Sequence, residues 1–226
     1  MPKILIVGGG YAGFYTALKL EKYLAKNEAE VTLVDPLSYM TYQPFLPEVV
    51  AGSIEARHAV VSHRRHLRKT NIINGKVTNV DHAKKTATIE VAGLKPYKET
   101  YDHIVVTAGA VSRTFPIPGV AEQAIGLKNI EEAVEVRNRI LANFDKAANL
   151  PAGAARDRLL TFVVVGGGFA GIETFDLSRA TGIRVSKTSS LRGVGGRAER
   201  LGGEPDRQRE READHSPRVW SIVSSV

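Results

Sequence analysis

The residues best suited to chemistry are glycines: Gly8, Gly10 and Gly13 in the stretch GGGYAG, followed 22 residues after the last of them by Asp35. This is the spacing by which a chain holds a dinucleotide. Gly8 permits a tight turn, Gly10 lets the backbone approach a pyrophosphate, and Gly13 lets a helix pack closely on the preceding strand. The phosphates then rest on the helix N-terminus, where N–H groups and the positive end of the helix dipole favour an anion. Asp35 stands where a carboxylate accepts hydrogen bonds from ribose hydroxyls. The arrangement recurs 158 residues later as Gly166, Gly168 and Gly171, with Glu173 just inside the helix. No second strand and no acid at the right distance are recognisable there, since Glu199 and Glu204 follow no apolar run, so half a cradle is expected. Thr107, Ala108 and Gly109 form a small-residue turn that either lets a backbone lie near a flat cofactor or simply joins strand to loop. Tyr39, Tyr42, Gln43 and Phe45 either line an aromatic pocket or cover a core edge.

Elements must position these residues. The run KILIV from Lys3 to Val7 leads directly into Gly8, as a buried parallel strand enters a tight turn. From Gly13 to Leu24, Ala17, Leu18, Leu20 and Leu24 recur at helical spacing, with Lys19, Glu21 and Lys22 facing out. AEVTLVD is a second strand ending at Asp35, which completes a βαβ unit. Pro36, Pro44 and Pro47 predict a long loop. KVTNVD and TATIEV around HAKK predict an antiparallel hairpin between Ile72 and Val91. YDHIVVTAGA reads as another buried strand. Asn129 caps a helix running from Ile130 to about Ala148, with Ile130, Ala133, Val134, Ile140, Leu141 and Phe144 on its apolar side. Leu159 to Val165 reads as the strand before the second glycine turn.

The fold class is therefore α/β: a Rossmann-like dinucleotide-binding fold with a small antiparallel β insertion, then the start of a second Rossmann fold. Residues 1–150 are expected to form the first, incomplete domain, 159–175 the beginning of the next, and 176–226 a disordered or out-of-frame tail.

Composition narrows the chemistry. The chain has 226 residues, 43% of them hydrophobic, which suffices for a real core. No stretch approaches the roughly 18 to 20 apolar residues of a membrane span, and MPKILIVGGG lacks the pattern of a secretory signal, so the chain reads as cytoplasmic. It has no cysteine, which excludes disulfides, thiolate metal sites and a dithiol redox centre. Its six histidines show no ligand spacing, so no metal site is expected. Net charge is +7, but its distribution is uneven: nine Arg and 12 Lys up to Phe175, against nine Arg and one Lys from Asp176 onward.

Together GGGYAGFYTALKL, YMTYQPFLPEVVAGSIEARHAVV, DHIVVTAGA, IPGV and VVVGGGFAGIETF resemble the flavoproteins with two dinucleotide-binding domains, and among them type II NADH dehydrogenase, the single-subunit NADH:quinone oxidoreductase. The resemblance runs from Lys3 to Phe175. It implies an FAD/NAD(P)-binding fold with FAD and NADH as cofactors, and with NADH and a quinone as substrates. It also implies hydride transfer through the flavin with no catalytic acid or base of the protein's own, because the cofactor carries the chemistry. Carried over by position, Gly8, Gly10, Tyr11, Ala12, Gly13 and Asp35 face the FAD pyrophosphate and ribose, with Val77 alongside. Gln43, Pro44, Ala108 and Gly109 lie toward the flavin, and Gly166, Gly168, Gly171 and Glu173 belong to the NADH side. The family further implies a homodimer and a peripheral place on the inner face of the plasma membrane. Cysteine-dependent relatives share the glycines but not this chain's chemistry.

After Phe175 the helical and strand periods dissolve into Arg, Ser and Gly, which reads as a frameshifted or prematurely ended frame. A nucleic-acid or membrane-surface arm is the weaker reading, because seven acids accompany ten bases and only Trp220 could stack. The alternative to an enzyme is a nucleotide-binding fragment that turns nothing over.

Overall fold

The computed structural model describes residues 1–111, 120–165, 172–174, 184–188 and 220–223, the last two stretches as strand backbone. It divides into two compact units, Met1–Tyr42 with Val60–Ala110, and Gln43–Ala59 with Val111–Val226.

The first unit is built on the expected βαβ element: β1 (Lys3–Val7), α1 (Tyr11–Tyr23) and β2 (Glu30–Asp35). Next, β3 (Tyr39–Thr41) and β4 (Val60–Ser62) pair antiparallel. β5 (Asn71–Asn74) then extends the sheet beyond β2. The predicted hairpin is present as β6 (Lys76–Asp81) and β7 (Thr86–Glu90), and a third antiparallel strand, β8 (Tyr97–Thr100), widens it. Finally β9 (His103–Val106) returns to β1. The order β5-β2-β1-β9 is parallel throughout. The chain steps outward from β1 and then crosses to its other side, which is half of a doubly wound fold.

The apolar run of β1 is unbroken because both of its faces are covered. Ile6 packs with Phe14, Ala17, Val31 and Leu33, while Leu5 and Val7 pack with Val34, Ala87, Ile89 and Tyr101. Each Val, Leu, Ile or Phe side chain among them contributes roughly 1.5–3 kcal/mol by leaving water. Two expectations change in this unit. Glu21 does not simply face solvent: its carboxylate accepts from the N–H groups of Arg68 (3.0 Å), Lys69 (2.7 Å) and Thr70 (2.8 Å) and from the Thr70 hydroxyl (2.7 Å). Burial pushes its pKa up, but those bonds outweigh burial and hold the carboxyl below its ordinary range. And β9 is not a buried strand. Among the described residues it pairs only with β1, and Val106 at this edge is 65% exposed.

The second unit holds the proline-rich segment, where a helix replaces much of the expected loop. After a 3₁₀ turn at Gln43–Phe45, α2 runs from Leu46 to Ala51. Pro47 sits in its first turn, where a missing N–H costs no hydrogen bond. β10 (Ala124–Gly126) precedes α3 (Ile130–Ala148), which starts at the predicted cap. Asn129 Oδ1 accepts from the Glu132 N–H at 2.8 Å, and the Glu132 carboxylate accepts from the N–H groups of Lys128 (2.6 Å) and Asn129 (3.4 Å). The buried stripe is Ile130, Ala133, Val136, Ile140, Asn143 and Ala147, so Leu141 is corrected to the exposed side, at 49%. The expected strand from Leu159 begins later, because Ala154–Leu159 is helical, as α4.

β11 (Thr161–Val165) then pairs in parallel with β12 (Arg184–Thr188) and β13 (Trp220–Val223), in the order β10-β13-β11-β12. Two strands therefore lie within 176–226, where none was expected, and β12 is the second strand missing from the sequence reading. Each is a short segment with two β-branched residues, too brief to set a period amid arginine and glycine, and pairing with β11 satisfies the backbone groups along the shared edge. No helix among the described residues is long and apolar enough to cross a membrane.

Candidate dinucleotide-binding site

In the first unit, β1 and β9 lie side by side with Val7 opposite Val106. Beyond their C-terminal ends is the switch point of the sheet, where doubly wound folds receive ligands. Gly8 leaves β1 at φ +99°, a left-handed conformation suited to glycine, with its N–H on the Val34 carbonyl at 2.9 Å. A Cβ on Gly8 would overlap the Thr107 carbonyl. One on Gly13 would overlap the Gly8 carbonyl and lie 2.7 Å from Thr107 Oγ1. Packing therefore requires both glycines.

Gly10 is different. Its backbone is extended, and a Cβ there would have no atom within 4 Å. It is the N-cap of α1, with no side-chain cap and no acid in the first turn. The first intrahelical bond runs from the Phe14 N–H to the Gly10 carbonyl at 2.9 Å, so Tyr11, Ala12 and Gly13 have no acceptor within the helix for their N–H groups. An open, uncapped and unopposed helix start beside a residue without a side chain fits a pyrophosphate.

Three side chains hold this turn. Asp35 Oδ2 accepts from the Gly9 N–H at 2.5 Å and Oδ1 from the Leu37 N–H at 2.7 Å. Each oxygen keeps a further lone pair for a ribose hydroxyl. The Thr107 hydroxyl reaches the carbonyls of Val7 (3.0 Å) and Gly8 (2.9 Å), stitching the end of β1 to the turn after β9. His63, fully buried, lies 2.7 Å through Nε2 from the Gly9 carbonyl. Neither Thr107 nor His63 stands out in sequence as a holder of the turn. The available hint was Gly9, a glycine the G-x-G-x-x-G pattern does not demand.

The structure thus brings Gly8, Gly10, Gly13 and Asp35 together with Ala108 and Gly109, the latter two exposed and Gly109 at φ +71°. Tyr11 opens α1, with its ring 5.1 Å from Tyr15 and 6.0 Å from Tyr42. Loss of water around it and the two neighbouring phenols push its hydroxyl pKa up. Ala12 is exposed, and its carbonyl accepts from the Thr16 hydroxyl. Val77 lies on β6 opposite Ile89 and packs against the core of Leu5, Val7, Val34 and Ile89. Gln43 and Pro44 fall in the second unit, exposed on their 3₁₀ turn, where the Gln43 amide donates to the Lys128 carbonyl. Glu173 is exposed, whereas Gly166, Gly168 and Gly171 lie outside the described residues.

The chain is 35% identical over 182 residues to the external alternative NAD(P)H-ubiquinone oxidoreductase B2 of Arabidopsis thaliana mitochondria, covering 76% of this chain and 30% of that protein. It is 33% identical to the type II NADH:quinone oxidoreductase Ndh of Mycobacterium tuberculosis, covering 76% of this chain and 36% of that one. The structure of NDH2 from Plasmodium falciparum in complex with RYL-552 superposes with a TM-score of 0.73 at 28% identity, covering 82% of this chain and 41% of that chain. The chain thus spans from 30% to 41% of the length of these relatives. Residues 2–189 match the pyridine nucleotide-disulphide oxidoreductase family, and the chain, though it contains no cysteine, belongs to that family.

Proposed function

We propose that this chain is the FAD-holding part of an NADH:quinone oxidoreductase of type II. The observation that carries the reading is the open start of α1, with Gly10 bare, Gly8 and Gly13 locked against the β9 turn, and Asp35 at the end of β2. Backbone N–H groups of Tyr11, Ala12 and Gly13 would hold the FAD pyrophosphate, and Asp35 would accept from the ribose. Bound FAD supplies two-electron chemistry between NADH and a quinone. This chain's own contribution is to orient the adenosine end and to keep the turn rigid, so that binding does not spend free energy on ordering the loop. No acid or base of the chain is assigned to the reaction.

The names of the relatives support NADH and quinone as substrates. The homodimer and the membrane-surface location follow from the same reading, as does an NADH side carried by Gly166, Gly168, Gly171 and Glu173. The test is to purify the chain, record flavin absorbance, and add NADH under nitrogen. Bound flavin that bleaches is the expected result. Flavin that stays oxidised would favour the second reading, a nucleotide-binding fragment without turnover. Absence of flavin would overturn both readings.

A further inference from the structure

His63 lies in the run HRRH, where no period or motif marks it, yet it is completely buried. Its ring stacks on Phe14 of α1 (centroids 6.0 Å apart, interplanar angle 27°), and the backbone N–H of His63 donates to the Ser38 carbonyl at 3.0 Å. Nε2 faces the Gly9 carbonyl at 2.7 Å, and a carbonyl only accepts, so the hydrogen-bond network assigns the proton to Nε2. Nδ1 is buried with no partner among the described residues. A buried imidazole left half-satisfied is costly, and its one bond goes to the middle residue of the glycine turn.

Gly9 is the other half of the pair. A Cβ at position 9 would meet His63 Cε1 at 2.5 Å and Nε2 at 2.8 Å. Gly9 is glycine because the imidazole occupies the space a side chain would need. With its N–H on Asp35 and its carbonyl on His63, both polar groups of Gly9 are fixed by side chains from distant segments. The peptide planes entering and leaving position 9 are therefore set before any ligand arrives.

We infer that His63 is a positioning residue for the dinucleotide: its Nε2–H, bound to the Gly9 carbonyl, presets the turn so that Gly10 and the start of α1 present their N–H groups to the pyrophosphate. This rests on the proposed FAD site. It is tested by FAD titration of the flavin-free full chain, followed by flavin fluorescence, together with thermal melting and amide NMR of the same preparations. His63→Leu is expected to weaken FAD binding by about tenfold or more, the loss of one buried hydrogen bond. His63→Gln, which can still donate to the carbonyl, should stay within about threefold of the wild type. Gly9→Ala should weaken binding in the wild-type background and have no further effect beside His63→Ala.

FAD binding by the leucine variant equal to wild type, loss with glutamine as large as with leucine, or equal effects of Gly9→Ala in both backgrounds would each overturn the inference. If the leucine variant does not fold, the glutamine variant and the Gly9 pair decide alone. If the wild type itself takes up no FAD, the functional reading fails. The His63 assignment then stands or falls on the Gly9 and Gly10 amide signals, which glutamine must preserve and alanine must shift.

Discussion

The two long helices begin in opposite ways. α3 is closed at its start: Asn129 and Glu132 form a reciprocal capping box, and Glu131 and Glu132 place negative charge in the first turn. α1 is open: Gly10 caps it with no side chain, and its first turn holds no acid. A capped start is complete within its own chain segment, whereas the bare one leaves its N–H groups and dipole to water or to a ligand. The glycines of the first turn thus do more than permit close packing, because they withhold the cap that most helices have.

That contrast can be broken most severely at Gly13. A Cβ there has nowhere to go, so Gly13→Ala is expected to cost more than about 3 kcal/mol and to abolish cooperative melting of the first unit, as seen by circular dichroism. The sharper experiment is Gly10→Asp. Gly10 has an extended backbone and free space, so an aspartate should cap α1 and raise the melting temperature of the flavin-free chain by a degree or two. It should also weaken FAD binding by about a hundredfold, because the carboxylate takes the place of the pyrophosphate. If FAD binds the aspartate variant as tightly as wild type, α1 is not the phosphate site. At the closed helix, Asn129→Ala should cost about 1 kcal/mol in thermal or urea unfolding and leave FAD affinity unchanged.

The smallest expected effect is at Glu21. Its folded pKa lies below the unfolded value, so its stabilisation is fully present above the ordinary carboxylate range and is lost as pH falls through the depressed value. The carboxyl is only partly buried, which limits this contribution to less than about 1 kcal/mol. Melting temperatures recorded downward from pH 6 should fall more steeply for wild type than for Glu21→Gln. Parallel curves would show that the bonds to the Arg68–Thr70 segment do not depend on charge.

Much of this was legible beforehand. Lys3–Val7, Asp35, the hairpin from Lys76 to Glu90 and the Asn129 cap all stand where the pattern put them, because each rests on neighbours in sequence: alternation, helical spacing, or a cap three residues from its partner. The failures share a cause. Leu141 and Val136 differ only in which side of α3 meets a neighbouring element, and β9 is an edge because of what pairs with it. β12 and β13 become strands only through a ladder to β11.

That a strand, a glycine turn, a helix and an acid-ended strand follow one another is dictated locally, since backbone conformation and hydrophobic period are local properties. What holds the turn in place comes from the tertiary structure. The His63 to Gly9 bond joins residues 54 apart, and the Thr107 hydroxyl joins residues 100 and 99 apart. A hydrogen bond needs its partners within about 3 Å, and over such separations only the folded sheet brings them there.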